Sequence, residues 1–349
     1  MSRGLRTAAL GTLLIAAVSL VPVPVAGQAR TTTTKPTALP KGWTAPRTTW
    51  GDPDLTGIWN NATSTPLQRA AADGKPILTD EEAAEFAEEL AYDLTRDRRD
   101  GGAQADVNRA YNEHWMDPKR LEITADRRTS LIIDPPDGRI PPLVPLSPER
   151  EKRRIARGES LRRFNDGFPL GYLDTALPFR CVIRTDRVPY LPIIYNNTFQ
   201  IFQSPGYVVI SVEMIHSARV IPVDGRLHIG KTLRQWLGDS RGRWEGNTLV
   251  VETTNFRSDD GVLYGDADPE TFRIVERFTR VDPNTINYTF TVEDPRTWTK
   301  PWTAMIPWNK TDDQLYEYAC HEDNYEMVHM LAGARAREKE AEAAKKEPR

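Results

Sequence analysis

The sequence predicts a mainly β protein: an antiparallel up-and-down barrel or a strongly curved sheet with peripheral helices, with a β-sandwich as the alternative. Three observations carry this. From Phe199 onward the chain runs through a succession of short segments that alternate apolar and polar residues. Turn signals separate them: Ser204-Pro205-Gly206, Asp224-Gly225, Gly246-Asn247 and Asp282-Pro283-Asn284. Consecutive hairpins make a meander, and a long meander tends to close on itself because closure removes exposed edges. Turn spacing does not distinguish a closed sheet from two packed ones, so the sandwich stays open.

The elements follow in chain order. Arg3 and Arg6 precede an apolar run from Ala8 to Val21, and small residues follow up to Ala29, so residues 1–29 read as a signal peptide. The run is short for a membrane span and no second one follows, so the mature chain is expected to be periplasmic or secreted. A retained N-terminal anchor is the alternative. Residues 30–50 form a flexible Thr- and Pro-rich leader, 51–335 a single domain, and 336–349 a charged helical tail. "GDPDLTGIWNN" places Gly57 and Trp59 on a first short strand. An acidic helix is expected over 80–100, capped by Asp80 and with Ala84, Phe86, Ala87 and Leu90 on its apolar face. "SLIID" and "RIPPL" flank Asp137-Gly138 as a hairpin. A second helix is expected over 147–164, with Ser147-Pro148 as cap and first turn. Both helices are rich in charge and should cover the sheet. "LYEYAC" reads as the last strand, and Asp323-x-x-Glu326 as the capping box of a final helix.

The Gly57-x-Trp59 entry and the later meander resemble the calycin or lipocalin-like barrels. Three longer phrases, "EMIHSARVIPVDGR", "QWLGDSRGRWEGNTLVVETTNF" and "YEYACHEDNY", resemble a group of exported soil-bacterial proteins without a settled function, over roughly residues 50–335. That resemblance implies export and brings no catalytic residue with it.

Composition narrows the function classes. A net charge of −3 gives no reason to expect a nucleic-acid partner. The two cysteines, Cys181 and Cys320, are expected to pair in an oxidising compartment. The rival is a free Cys320 nucleophile beside His321, but adjacent strand residues point to opposite faces. Five histidines without a tight ligand cluster give no expected transition-metal site, a calcium or magnesium site on scattered carboxylates stays open, and no cofactor is expected. Neither a Gly-x-Ser-x-Gly elbow nor a dinucleotide fingerprint is present.

Strand parity singles out further residues. Ile286, Tyr288, Phe290 and Val292 share one face. On the partner strand, Glu276 interrupts the row Phe272, Ile274 and Phe278. A carboxyl in apolar surroundings is suited to acid–base work. The alternative is a structural ion pair with Arg219 or Arg241. His216 ends the row Ile210, Val212, Met214 and is the second acid–base candidate, against a core histidine bonded to backbone. Tyr288 and Tyr318 are candidate donors to a developing oxyanion. Arg219, Asp239, Arg241 and Trp59 are candidate ligand-binding residues. The loop carrying Asp239 and Arg241 either holds an anionic group or is locked by internal salt bridges. Three functions follow: a protein binding a small apolar or aromatic molecule in a barrel pocket, a metal-independent isomerase, lyase or hydrolase acting on such a molecule, or an envelope interaction protein.

Overall fold

Period-two alternation builds the sheet strand by strand. A computed structural model describes residues 43–70, 74–94, 101–103, 117, 122–257 and 267–346. The signal peptide, the leader as far as residue 42, the 95–100 end of the acidic helix and residues 347–349 of the tail lie outside the described residues. The strands are β1 Gly57–Asn60, β2 Ile132–Asp134, β3 Thr198–Ser204, β4 Tyr207–Val212, β5 Ala218–Pro222, β6 Asp239–Glu245, β7 Thr248–Thr254, β8 Arg273–Asp282, β9 Thr285–Glu293 and β10 Trp302–Lys310. The helices are α1 Asp80–Leu94, α2 Pro148–Asn165 and α3 Glu326–Lys346.

All strand pairs are antiparallel and make one 10-stranded sheet in the order β5-β4-β3-β1-β10-β9-β8-β7-β6, with β2 added on β10. Followed round the ring, neighbours in space are mostly neighbours in sequence. The two ends of the path, β5 and β6, are themselves consecutive, so the sheet is a barrel that nearly closes. Its seam lies between them, with no ladder across it among the described residues. Gly242 on β6 shows how close the edges come. A Cβ there would lie 2.9 Å from Ile221 Cγ2 on β5 and 2.7 Å from Val223 Cγ1. Only glycine lets those side chains cover the strand.

The interior is filled from the alternating rows. On β9, Ile286, Tyr288, Phe290 and Val292 point in, and on β10, Trp302, Ala304, Ile306 and Trp308 do. Phe199 and Trp308 stack at 4.3 Å, and Tyr288 lies 4.8 Å from Phe278 and 5.2 Å from Trp308, ring centre to centre. Each such pair adds about 0.5–1.5 kcal/mol to the area it buries.

The helices are pinned from outside. Ser147 Oγ caps α2 by accepting from Arg150 N at 3.3 Å, with Pro148 in the first turn. Buried Arg150 then reaches the carbonyl of Arg296 and Thr297 Oγ1 in the β9–β10 connection. For α1 the cap is Thr79, one residue earlier than expected. Its hydroxyl accepts from Glu82 N at 3.2 Å while Glu82 accepts from Thr79 N at 2.7 Å, a reciprocal capping box.

Four further local expectations are corrected. "RIPPL" forms no strand beside β2, since two prolines remove ladder donors. "LYEYAC" is not a strand: residues 311–325 form an irregular strap between β10 and α3. Asp323 lies at φ 52°, outside the geometry of an N-cap, and α3 begins at Glu326, whose N–H bonds Asn324 Oδ1 at 3.1 Å. β4 ends at Val212, and a 3-10 turn, Met214–His216, follows.

Candidate functional site

Glu276 and Arg219 point into the barrel from β8 and β5, across the seam side of the ring. They form the ion pair that the sequence offered as the alternative to acid–base chemistry. Arg219 Nη2 donates to Glu276 Oε1 at 3.2 Å, and Nη1 lies 2.9 Å from Oε2 without hydrogen-bond alignment. Glu276 has 0% and Arg219 5% exposure, so the pair is cut off from water. Tyr288 Oη donates to Glu276 Oε1 at 2.9 Å and accepts from Tyr190 N at 3.2 Å. The Arg219 guanidinium also lies 5.0 Å from the Tyr190 ring centre. Burial alone would lower the pKa of Arg219, but the Glu276 carboxylate more than offsets it, so the guanidinium stays above its ordinary value. Burial, reinforced by Glu276, pushes the Tyr288 phenol well up. With both its bonds engaged, Tyr288 is held as part of the core. Trp59 is likewise fully buried, its Nε1 donating to Leu55 O at 3.0 Å.

His216 sits elsewhere. Strand parity ends at Glu213, whose φ −59° and ψ −47° are helical, and Ile215 and His216 then take left-handed φ of 61° and 45°. The His216 side chain is consequently exposed at the barrel end, and its Nδ1 lies 2.7 Å from Tyr318 O. A carbonyl only accepts, so Nδ1 is the donor in this bond. The structure does not bring His216 and Glu276 together: one clamps the strap on the surface and the other is sealed in the core.

Asp239 and Arg241, expected on a loop, lie on strand β6 and are locked there. Asp239 is buried, pairs in charge with Arg241 Nη1 at 2.6 Å, accepts from Ile229 N at 3.0 Å, and meets His228 Nδ1 at 2.8 Å. Arg241 Nε donates to Leu227 O at 2.9 Å. These contacts tie the chain before β6 down onto β6, and they engage both Asp239 and Arg241 in structure.

An open groove of about 960 Å³ lies where the strap, the start of α3 and a 3-10 turn, Leu177–Arg180, meet. Cys181 and Cys320 close the disulfide at its base, with Cα atoms 5.8 Å apart. Tyr318 lines the groove and packs against the barrel core. Phe179, Tyr325 and Met330 add apolar wall, and Glu317, Asp323, Glu326 and His329 a polar rim. Arg184 donates to Tyr318 Oη at 3.2 Å and to Tyr195 Oη at 2.7 Å, which holds its guanidinium at the groove wall. The groove is anchored because α3 is anchored: Ala334 is buried, and Arg335 Nη2 donates to Pro169 O at 2.7 Å.

Of the expected site residues, only Tyr318 and Cys320 line this groove, with Cys181 bridged to Cys320. Arg184, Phe179, His329 and Met330 were not found by sequence reasoning. The available signal was the arginine-rich run "FRCVIRTDRVPY" around Cys181, which a disulfide necessarily brings beside "YEYACHEDNY". Among the described residues no group of three or more His, Cys, Asp or Glu is placed to hold a metal ion, and no helix is long and apolar enough to cross a membrane. No protein-family model, curated protein or solved structure matches the chain.

Proposed function

We propose that the protein is an exported binding protein for a small apolar or aromatic molecule, and that the ligand lies in the groove beneath the strap, with the barrel as its rigid support. The groove itself carries this reading: a concave site with rings and a thioether on its walls inside a charged and polar rim. Tyr318, Phe179 and Tyr325 offer faces and edges for a flat ligand, and Met330 an adaptable contact. Arg184 is held by two tyrosine hydroxyls, so little side-chain entropy is lost when it meets a ligand. The barrel interior, by contrast, is occupied by its own rings. The disulfide supports an oxidising compartment.

Calorimetric titration with a panel of substituted benzenes and indoles tests the reading. At least one compound should bind saturably, and Tyr318→Ala or Met330→Ala should weaken it about tenfold, the equivalent of 1.4 kcal/mol. Absence of saturable binding across the panel, or an affinity indifferent to both substitutions, would sink the proposal.

A further inference from the structure

The charge around the groove is of one predominant sign. Glu317, Asp323 and Glu326 line it, and Arg184 is the only lysine or arginine that does. The bias extends along the chain: from Thr311 to Ala334 there are six acidic residues and no lysine or arginine. Elsewhere on the surface, arginines meet carboxylates: Arg243 and Arg277 meet Glu245, Arg273 meets Glu252, and Arg226 meets Asp224. The three carboxylates at the groove are left out of this pairing. Among the described residues none of them has an ion-pair or hydrogen-bond partner. The Arg184 guanidinium is turned instead to the Tyr318 and Tyr195 hydroxyls, and it lies 5.6 Å from the Tyr195 ring centre.

Unpaired carboxylates around a concave site set up potentials that add, and low-dielectric walls focus them. A cation entering the groove is attracted by that field. It gains again wherever it meets a face of Tyr318, Phe179 or Tyr325, because aromatic faces carry the negative end of the ring quadrupole. A neutral ring compound draws on the walls alone, and an anion is opposed by the rim. The carboxylates come from the strap and the start of α3, whereas Arg184 comes from the segment after Cys181. A guanidinium held in place also stacks on a flat ring, so Arg184 suits the aromatic body of a ligand and the carboxylates its charged end.

Resting on the groove reading above, we propose that the ligand class is an organic cation: an aromatic body carrying an ammonium or quaternary ammonium group, with that group held by Glu317, Asp323 and Glu326.

The test is calorimetry on the full chain at low ionic strength with tryptamine, tryptophol and indole-3-acetate. The three share one ring system and carry a positive, a neutral and a negative side chain. Tryptamine should bind about tenfold more tightly than tryptophol, and indole-3-acetate more weakly than either. The preference should shrink at about 1 M salt, which screens exposed charges. In Asp323→Asn/Glu326→Gln the ratio of tryptamine to tryptophol affinity should fall towards one. Asparagine suits the left-handed backbone at position 323, where φ is 52°, and circular dichroism checks folding. Should that variant unfold, Glu317→Gln carries the comparison. Equal affinity for tryptamine and tryptophol, tighter binding of indole-3-acetate, or a ratio that survives neutralisation would overturn the charge assignment and leave the groove reading standing. Saturable binding by none of the three would overturn it as well, and the wider benzene and indole panel then decides the groove reading separately.

Discussion

At the scale of single residues, the decisive feature is a charge pair in a ring-lined core. Arg219 and Glu276 are buried together and leave some bonding capacity unused, since Arg219 Nε, Arg219 Nη1 and Glu276 Oε2 lack an aligned partner. Such a pair is a weak source of net stability, but removing one member strands the other in apolar surroundings. Glu276→Ala should therefore cost about 3–5 kcal/mol in denaturant unfolding, while Arg219→Met/Glu276→Leu should cost less than either single change. Additive losses in the double variant would contradict the account. Asp174 provides a pH-dependent counterpart. Hydrogen bonds from Arg163, together with those from Ser160 and Leu170 N, hold its carboxyl well below the usual carboxylate range. A carboxyl depressed by folding adds stability above its unfolded pKa of about 3.9, and that stability fades as pH falls below it. Asp174→Asn is expected to be less stable than wild type at pH 7, with the gap narrowing as pH is lowered past about 4. A gap constant down to acid pH would contradict this. These two sites also mark how far single residues can be read from sequence. Glu276 was legible because its strand is extended from Arg273 onward, so parity with Ile274 and Phe278 holds. His216 was misplaced because β4 stops at Val212 and a helical Glu213 and two left-handed residues follow, and nothing in the side chains of "EMIH" announces it.

At the scale of elements, hairpins and strap follow different rules. Gly246-Asn247 and Pro283-Asn284 turn β6 into β7 and β8 into β9, because both pairs supply the backbone that tight turns need and both flanking strands find ladders. "LYEYAC" alternates as a strand does, but it has no ladder partner among the described residues and stays irregular. What orders it is the disulfide, the His216 clamp on Tyr318 O and the docking of α3. The bridge closes 139 residues of sequence separation. Loop-closure entropy gives an upper figure of about 4–5 kcal/mol for a loop of that size, and real bridges commonly give less. Cys181→Ser/Cys320→Ser should lower the unfolding midpoint. It should also raise amide exchange in residues 316–330, while β8 to β10 keep their protection. Equal loss of protection in the barrel strands and the strap would show that the bridge supports the whole fold and not the groove.

At the scale of the whole molecule, the meander accounts for the barrel and the barrel accounts for where a ligand has room. Turn residues and alternation made the ring legible, including the succession from β6 to β10. That the meander would curl towards a barrel was expected, but the place of its seam, between β5 and β6, was not, because it depends on Gly242 admitting Ile221 and Val223, a contact between residues about twenty positions apart with no local pattern. Nor was the groove, which is assembled from the 177–184 segment, the strap and α3, three pieces that only tertiary packing brings together. The measurement that tests the central claim most directly is amide NMR shift mapping of the isotope-labelled protein with the tightest aromatic binder of the panel. The account predicts shifts clustered at Phe179, Arg184, Tyr318, Asn324 and His329, with Tyr288 and Phe290 unmoved. Shifts centred on β8 to β10 inside the barrel would put the ligand in the core and contradict it.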